Sequence, residues 1–120
     1  VFEQKKVQVP DTERLNAVCS YMKEHYSENV SLEQLCKIAG VSRYSLIRYF
    51  TKYKKITPYQ YLESIRVNRA KLYLEQGTEP AEAAAMTGFS DQSHFTNFFK
   101  RLFGLTPAQY QRIFTDKKGY

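Results

Sequence analysis

The chain carries the same punctuation twice. Gly40 and Gly88, Ser42 and Ser90, Phe50 and Phe99, Thr57-Pro58 and Thr106-Pro107, and Tyr61 and Tyr110 follow one another in the same order. The offset is 48 for the first two pairs and 49 for the rest, so the second copy is expected to gain one residue in the helix after its glycine. Glycine takes the left-handed conformation that ends a helix, and serine caps the next one. In Thr-Pro-x-Gln the hydroxyl caps, proline suits the first helical position, and glutamine reaches back to complete a capping box. Each copy therefore reads as helix, tight turn, helix, and then a newly capped helix.

In the first copy Ser31 and Gln34 form a capping box, followed by Leu32, Leu35, Ile38 and Ala39 as a short apolar face. Beyond Gly40, Leu46, Tyr49, Phe50 and Tyr53 share one face of the next helix, with Tyr44, Ile47, Arg48, Thr51 and Lys52 on the other. This is how a helix-turn-helix presents a recognition helix to a major groove. Leu15, Val18, Cys19, Met22 and Tyr26 predict an amphipathic helix ahead of it, from Thr12 to about His25.

From Thr57 no breaker intervenes until Gly77, which predicts one helix of roughly 28 Å at ~1.5 Å per residue. In the second copy Pro80 opens an Ala-rich helix, Gly88 turns it, and Ser90 is expected to cap a helix from Asp91 to Phe103. Phe95, Phe98, Phe99 and Leu102 should face inward, Ser93, Asn97, Lys100 and Arg101 outward, with His94 at the margin. The expected fold is all-α, with about seven helices in two helix-turn-helix subdomains, 12–56 and 78–114, joined by a long central helix, 57–77. Residues 1–11 read as a linker and 115–120 as a polar tail.

Placement of charge says more than its total. Residues 37–71 hold nine Lys and Arg against one acidic residue, whereas 72–120 hold five of each sign. A segment of net +8 laid over a helix-turn-helix favours a polyanion, and nucleic acid before an acidic protein. Lys37, Ser42, Arg43, Thr51, Lys52, Lys54 and Lys55 in the first copy, and Ser90, Lys100 and Arg101 in the second, are the candidate phosphate neighbours. If five to seven phosphates are neutralised, the log–log salt slope should be about −5 to −6.

At 120 residues and 42% hydrophobic content the chain can bury a core, and no apolar run approaches the ~20 residues of a membrane span. Nor is a signal peptide visible. Cys19 and Cys36 lack paired metal-site spacing and fall at apolar helical positions, so both are expected as buried thiols. With two histidines, His25 and His94, in separate subdomains, and no phosphate loop, metal cluster or nucleophile beside a base, no enzyme is expected and no cofactor or metal. No ligand pocket is expected among helices filled by Phe, Leu and Tyr.

Ala84, Gly88-Phe89-Ser90-Asp91-Gln92-Ser93-His94-Phe95, Phe99-Lys100, Gly104-Leu105-Thr106-Pro107 and Tyr110, with Leu46, Phe50, Pro58, Tyr61, Arg66 and Ala70, make the chain resemble the DNA-binding domain of AraC/XylS-type bacterial transcription regulators. The resemblance runs from about Leu15 to Phe114. It implies seven helices and two recognition helices in successive major grooves of double-stranded DNA, and a central helix of roughly 28 Å suits a turn of ~34 Å. Carried over by position, Tyr44, Ile47 and Arg48 stand at base-contacting places of the first recognition helix, and Gln92, Ser93, His94 and Asn97 at those of the second. By chemistry, Arg48 suits guanine, Gln92 and Asn97 adenine, and Tyr44 and Ile47 a thymine methyl.

Three residues depart from the family pattern. Asn97 stands where Arg is common, Lys55 where the other copy has Gly104, and Ala83 where a bulkier apolar residue is usual. With the charge difference, they lead to the expectation that the first unit supplies most affinity and the second mainly selectivity. The resemblance also implies a contact with RNA polymerase. A cytoplasmic, nucleoid-associated protein is expected, and the linker-like start without Met favours a detached, monomeric C-terminal domain whose effector-binding and dimerisation domain would precede Val1. A stand-alone monomeric regulator with two helix-turn-helices is the alternative, and a basic helical protein-interaction module a more distant one.

Overall fold

A computed structural model describes residues 9–118, with side chains described through Thr115. The expected linker at 1–11 lies outside the described residues up to residue 8, and the end of the expected tail, 119–120, lies outside them too. Seven helices fill the described chain: α1 (Thr12–His25), α2 (Leu32–Ala39), α3 (Arg43–Lys54), α4 (Pro58–Glu75), α5 (Pro80–Met86), α6 (Gln92–Phe103) and α7 (Pro107–Lys118). The all-α expectation holds. Residues 115–118 continue α7 instead of starting a tail.

Local chemistry sets most boundaries. Ser31 and Gln34 exchange both bonds of a capping box, and Thr57–Gln60 and Thr106–Gln109 do the same ahead of α4 and α7. Gly40 ends α2 at φ 70°, its N–H donating to the Cys36 carbonyl at 2.7 Å. A β-carbon there would also collide with the guanidinium of Arg14, which donates to the Ala39 carbonyl at 3.2 Å. Lys55 ends α3 at φ 72°, a conformation that costs an L-residue about 1–2 kcal/mol.

The chain divides into two compact units between Leu62 and Glu63, inside α4. Unit 1 buries Leu15, Val18, Cys19 and Met22 of α1 against Leu35 and Ala39 of α2, Leu46 and Phe50 of α3, and Leu62. Phe50 meets the Tyr61 ring edge-on at 5.6 Å. Its aliphatic filling leaves an apolar cleft of about 250 Å3, lined by Met22, Val30, Leu32, Leu35, Ile47, Thr57, Pro58, Tyr59 and Leu62. This corrects the expectation of no pocket: a single buried phenylalanine does not fill what the short α2 leaves open. Cys19 is buried as expected, but Cys36 is only half-buried.

Unit 2 is aromatic. Val67, Ala70 and Leu74 of α4 and Ala83 and Ala84 of α5 surround Phe89, Phe95 and Phe99, with Phe98, Phe103 and Tyr110 packed alongside. Phe99 lies 5.8 Å from Phe95, 4.6 Å from Phe103 and 5.6 Å from Tyr110. Leu102, expected inside, is exposed. Phe103 takes the inward place because its ring buries more apolar surface and finds both Phe99 and the Lys71 ammonium, 5.2 Å from its centroid. Gln111 ties α7 to the end of α4 by donating to the carbonyls of Leu74 and Thr78.

Candidate nucleic-acid interface

Each unit presents its third helix by the same means: an apolar face locked into the core and a polar face left outside. Leu46 and Phe50 anchor α3, and Phe95 and Phe99 anchor α6. Both helices have twelve residues. Their caps are Ser42, two residues after Gly40, and Asp91, three after Gly88. The extra residue of the second copy therefore lies in the turn, not in the helix as expected.

The outer face of α3 carries Tyr44, 62% exposed, with Ile47 at 41% and Arg48 fully outside. One turn apart, Arg48 donates from Nη1 to the Tyr44 hydroxyl at 3.1 Å. That bond, followed by one to Tyr49, favours the charged guanidinium and pushes its pKa up. The three residues thus form one patch: a cation, a phenol and an aliphatic side chain. Arg43 and Lys52 flank it in solvent, and Lys37 is exposed on α2.

Other expected phosphate neighbours are less free. The Ser42 hydroxyl accepts the Ser45 N–H at 3.2 Å. The Lys54 ammonium sits 5.3 Å from the Tyr53 ring and 5.5 Å from that of Tyr61. Lys55 is exposed. Thr51 departs from expectation: its hydroxyl is enclosed, with no hydrogen-bond partner among the described residues, and presents nothing to a phosphate. Tyr53, assigned to the inner face, is exposed and donates to Asn16 at 3.0 Å. Burial pushes the Cys36 thiol up against the opposing pull of Arg43, the reverse of what an activated thiolate needs.

On α6, Gln92, Ser93 and Asn97 are exposed, as are Lys100 and Arg101, with the Arg101 guanidinium 5.5 Å from the Phe98 ring. Ser90 does not cap this helix. Asp91 does, accepting the Ser93 N–H at 2.9 Å, and Ser90 is left exposed one residue outside. A carboxylate suits a helix N-terminus electrostatically but opposes an approaching phosphate. His94 stands at the margin, as expected, with its side chain 43% exposed and its Nε2 2.7 Å from the Glu63 carboxylate.

Matching caps instead of serines gives a constant offset of 49 along both helices. Tyr44 then pairs with Ser93, Ile47 with Thr96, Arg48 with Asn97, and Arg43 with Gln92, while His94 pairs with the buried Ser45. Thr96, half-buried beside Asn97, thus holds the place equivalent to Ile47 and was not among the expected positions. The offset of 49 at Phe50/Phe99 and Thr57/Thr106 was the signal that would have found it.

Two successive helix-turn-helix units, each with an exposed and chemically varied third helix, define a double helix-turn-helix DNA-binding domain. Residues 35–113 match the helix-turn-helix domain family, and the chain belongs to the AraC-type branch of these transcription regulators. It is 55% identical over 87 residues to the uncharacterized HTH-type transcriptional regulator YbfI of Bacillus subtilis, covering 72% of this chain and 32% of that one. It is 31% identical over 113 residues to the bifunctional transcriptional activator/DNA repair enzyme AdaA of the same organism, 93% of this chain and 54% of that. Among solved structures, the DNA-binding domain of AdpA, the global transcriptional factor, in complex with a target DNA superposes with a TM-score of 0.80 at 27% identity, covering 93% of this chain and 98% of that one. The chain thus spans from about a third to about half the length of these two curated relatives. No described helix is long and apolar enough to cross a membrane.

Proposed function

We propose that this chain reads double-stranded DNA through two half-sites, with α3 and α6 each entering a major groove, and that it serves a cytoplasmic bacterial transcription regulator without catalysing a reaction. The observation that carries this is the exposed Tyr44–Ile47–Arg48 face of α3 inside a segment of net +8. Arg48 suits the acceptor pair of guanine, and Tyr44 and Ile47 suit the thymine methyl. Ser93, Thr96 and Asn97, with Gln92, offer a neutral hydrogen-bonding face in the second unit. The likeness to the AdpA domain, solved on its target DNA, supports the same mode of use.

Lys37, Arg43, Lys52, Lys55, Lys100 and Arg101 supply sequence-independent attraction to phosphate, and with it the salt dependence. Contact with RNA polymerase is a further role that the family resemblance supports. Selection of bound sequences from random duplexes at near-physiological salt tests the whole reading. Two enriched half-motifs about 10 base pairs apart are expected. Salt-sensitive binding without any enrichment would defeat it.

A further inference from the structure

We propose that Glu63 is a positioning residue for the second recognition helix: it holds α6 through His94, which makes His94 a strut between helices and not a reader of bases. The proposal rests on the DNA-reading assignment above, and its test separates the two.

Glu63 is only 7% exposed, though a carboxylate is among the groups least often buried without a partner. Its Oε2 lies 2.7 Å from Nε2 of His94, thirty-one residues away in the chain. That short contact requires a hydrogen on Nε2, since a carboxylate only accepts. The ring also stacks on Phe98 at 6.1 Å and 27° and lies tilted 5.7 Å from Phe89 of the turn, with 43% of the side chain left exposed. His94 thus ties the first turn of α6 both to α4 and to the turn that aims the helix. Gln92, Ser93 and Asn97 ride on the same turns. A shift of α6 by a fraction of an ångström would misplace their donors, and hydrogen-bond readout tolerates little such error. In unit 1 the position equivalent to His94 is the buried Ser45, and Arg14 of α1 donates to the Ala39 carbonyl at the end of α2.

The test compares Glu63→Ala, Glu63→Gln, His94→Ala and the Glu63→Ala/His94→Ala double variant on duplexes substituted in one half-site at a time. Glu63→Ala and His94→Ala should each lower discrimination at the second half-site by roughly tenfold, the size of one hydrogen bond to a charged group. The double variant should be no worse than either, discrimination at the first half-site should hold, and the salt slope should stay the same. Glu63→Gln, whose amide oxygen still accepts from Nε2, should restore most of the loss. Loss with His94→Ala but not with Glu63→Ala would show that His94 reads a base, and would overturn the proposal. So would a Glu63→Gln variant as poor as Glu63→Ala.

Nitrogen NMR of the two histidines in the free protein gives a readout independent of DNA. The Nε2–H proton of His94 should be protected from solvent exchange and shifted downfield, and Glu63→Ala should abolish both; a signal unchanged by Glu63→Ala would refute the strut. A normal strut in a protein that selects no sequence would instead defeat the DNA-reading assignment alone.

Discussion

Unit 1 and unit 2 follow one plan and differ in how they carry charge and fill space. Unit 1 has an aliphatic core with one buried phenylalanine, a neutral Ser42 cap on its recognition helix, and Arg48 on the outer face. Unit 2 has a core of phenylalanines packed tilted and edge-on, an anionic Asp91 cap, and Asn97 where unit 1 has Arg48. The scaffold tolerates both fillings because Phe50 and Phe99 hold the same place beneath Tyr61 and Tyr110. The surface varies as well. Cationic attraction is concentrated in one copy, and neutral hydrogen bonding in the other.

The largest effects should come from the shared anchors. Phe99→Ala is expected to cost about 3–5 kcal/mol, and hydrogen exchange should show the loss of protection concentrated in α5, α6 and α7. Phe50→Ala should expose α1, α2 and α3 in the same way. Equal loss across both units in either variant would break the comparison of two separately cored copies.

The two caps after the recognition helices give an opposed pair. Lys55 and Gly104 both sit at positive φ, 72° and 83°. Lys55→Gly should raise denaturant stability by about 1 kcal/mol and Gly104→Ala lower it by a similar amount. At the other end of these helices, Asp91→Asn keeps a capping acceptor but removes the charge. DNA affinity should rise roughly two- to fivefold at low salt and return to the parent value at high salt, whereas Ser42→Asp should do the opposite. If Asp91→Asn binds no better at low salt, the carboxylate is not what restrains unit 2.

The smallest signature is spectroscopic. Tyr61 and Tyr110 are each pushed up to about 12: burial comes first in both, followed by a hydrogen bond to Cys19 and to Glu75 respectively. A raised tyrosine holds its proton longer in the folded chain than in the unfolded one. Its contribution is therefore complete below pH ~10 and fades as pH rises from about 10 to about 12. Titration of phenolate absorbance should show two late tyrosines, and Tyr110→Phe should remove one of them.

Much of this was legible in the sequence because capping is local. Ser31–Gln34, Thr57–Gln60 and Thr106–Gln109 close within a single turn, so residue type and spacing were enough. The second recognition helix was harder. Ser90 and Asp91 are adjacent and both are good caps, and the choice of the wrong one put the extra residue in the helix. His94 could not be placed by any short pattern, because Glu63 lies on another helix. Thr51 was misplaced because helical periodicity gives the direction of a side chain but not the enclosure of its hydroxyl. The cleft in unit 1 escaped because apolar composition does not reveal packing.

The claim that unit 1 supplies affinity and unit 2 selectivity is tested most directly by measuring Arg48→Ala against Gln92→Ala and Asn97→Ala on the selected duplex at matched salt. Arg48→Ala should cost the most binding free energy, about 1–3 kcal/mol, while the other two should chiefly flatten preference at their own half-site. A greater loss of affinity from Gln92→Ala and Asn97→Ala than from Arg48→Ala would contradict it.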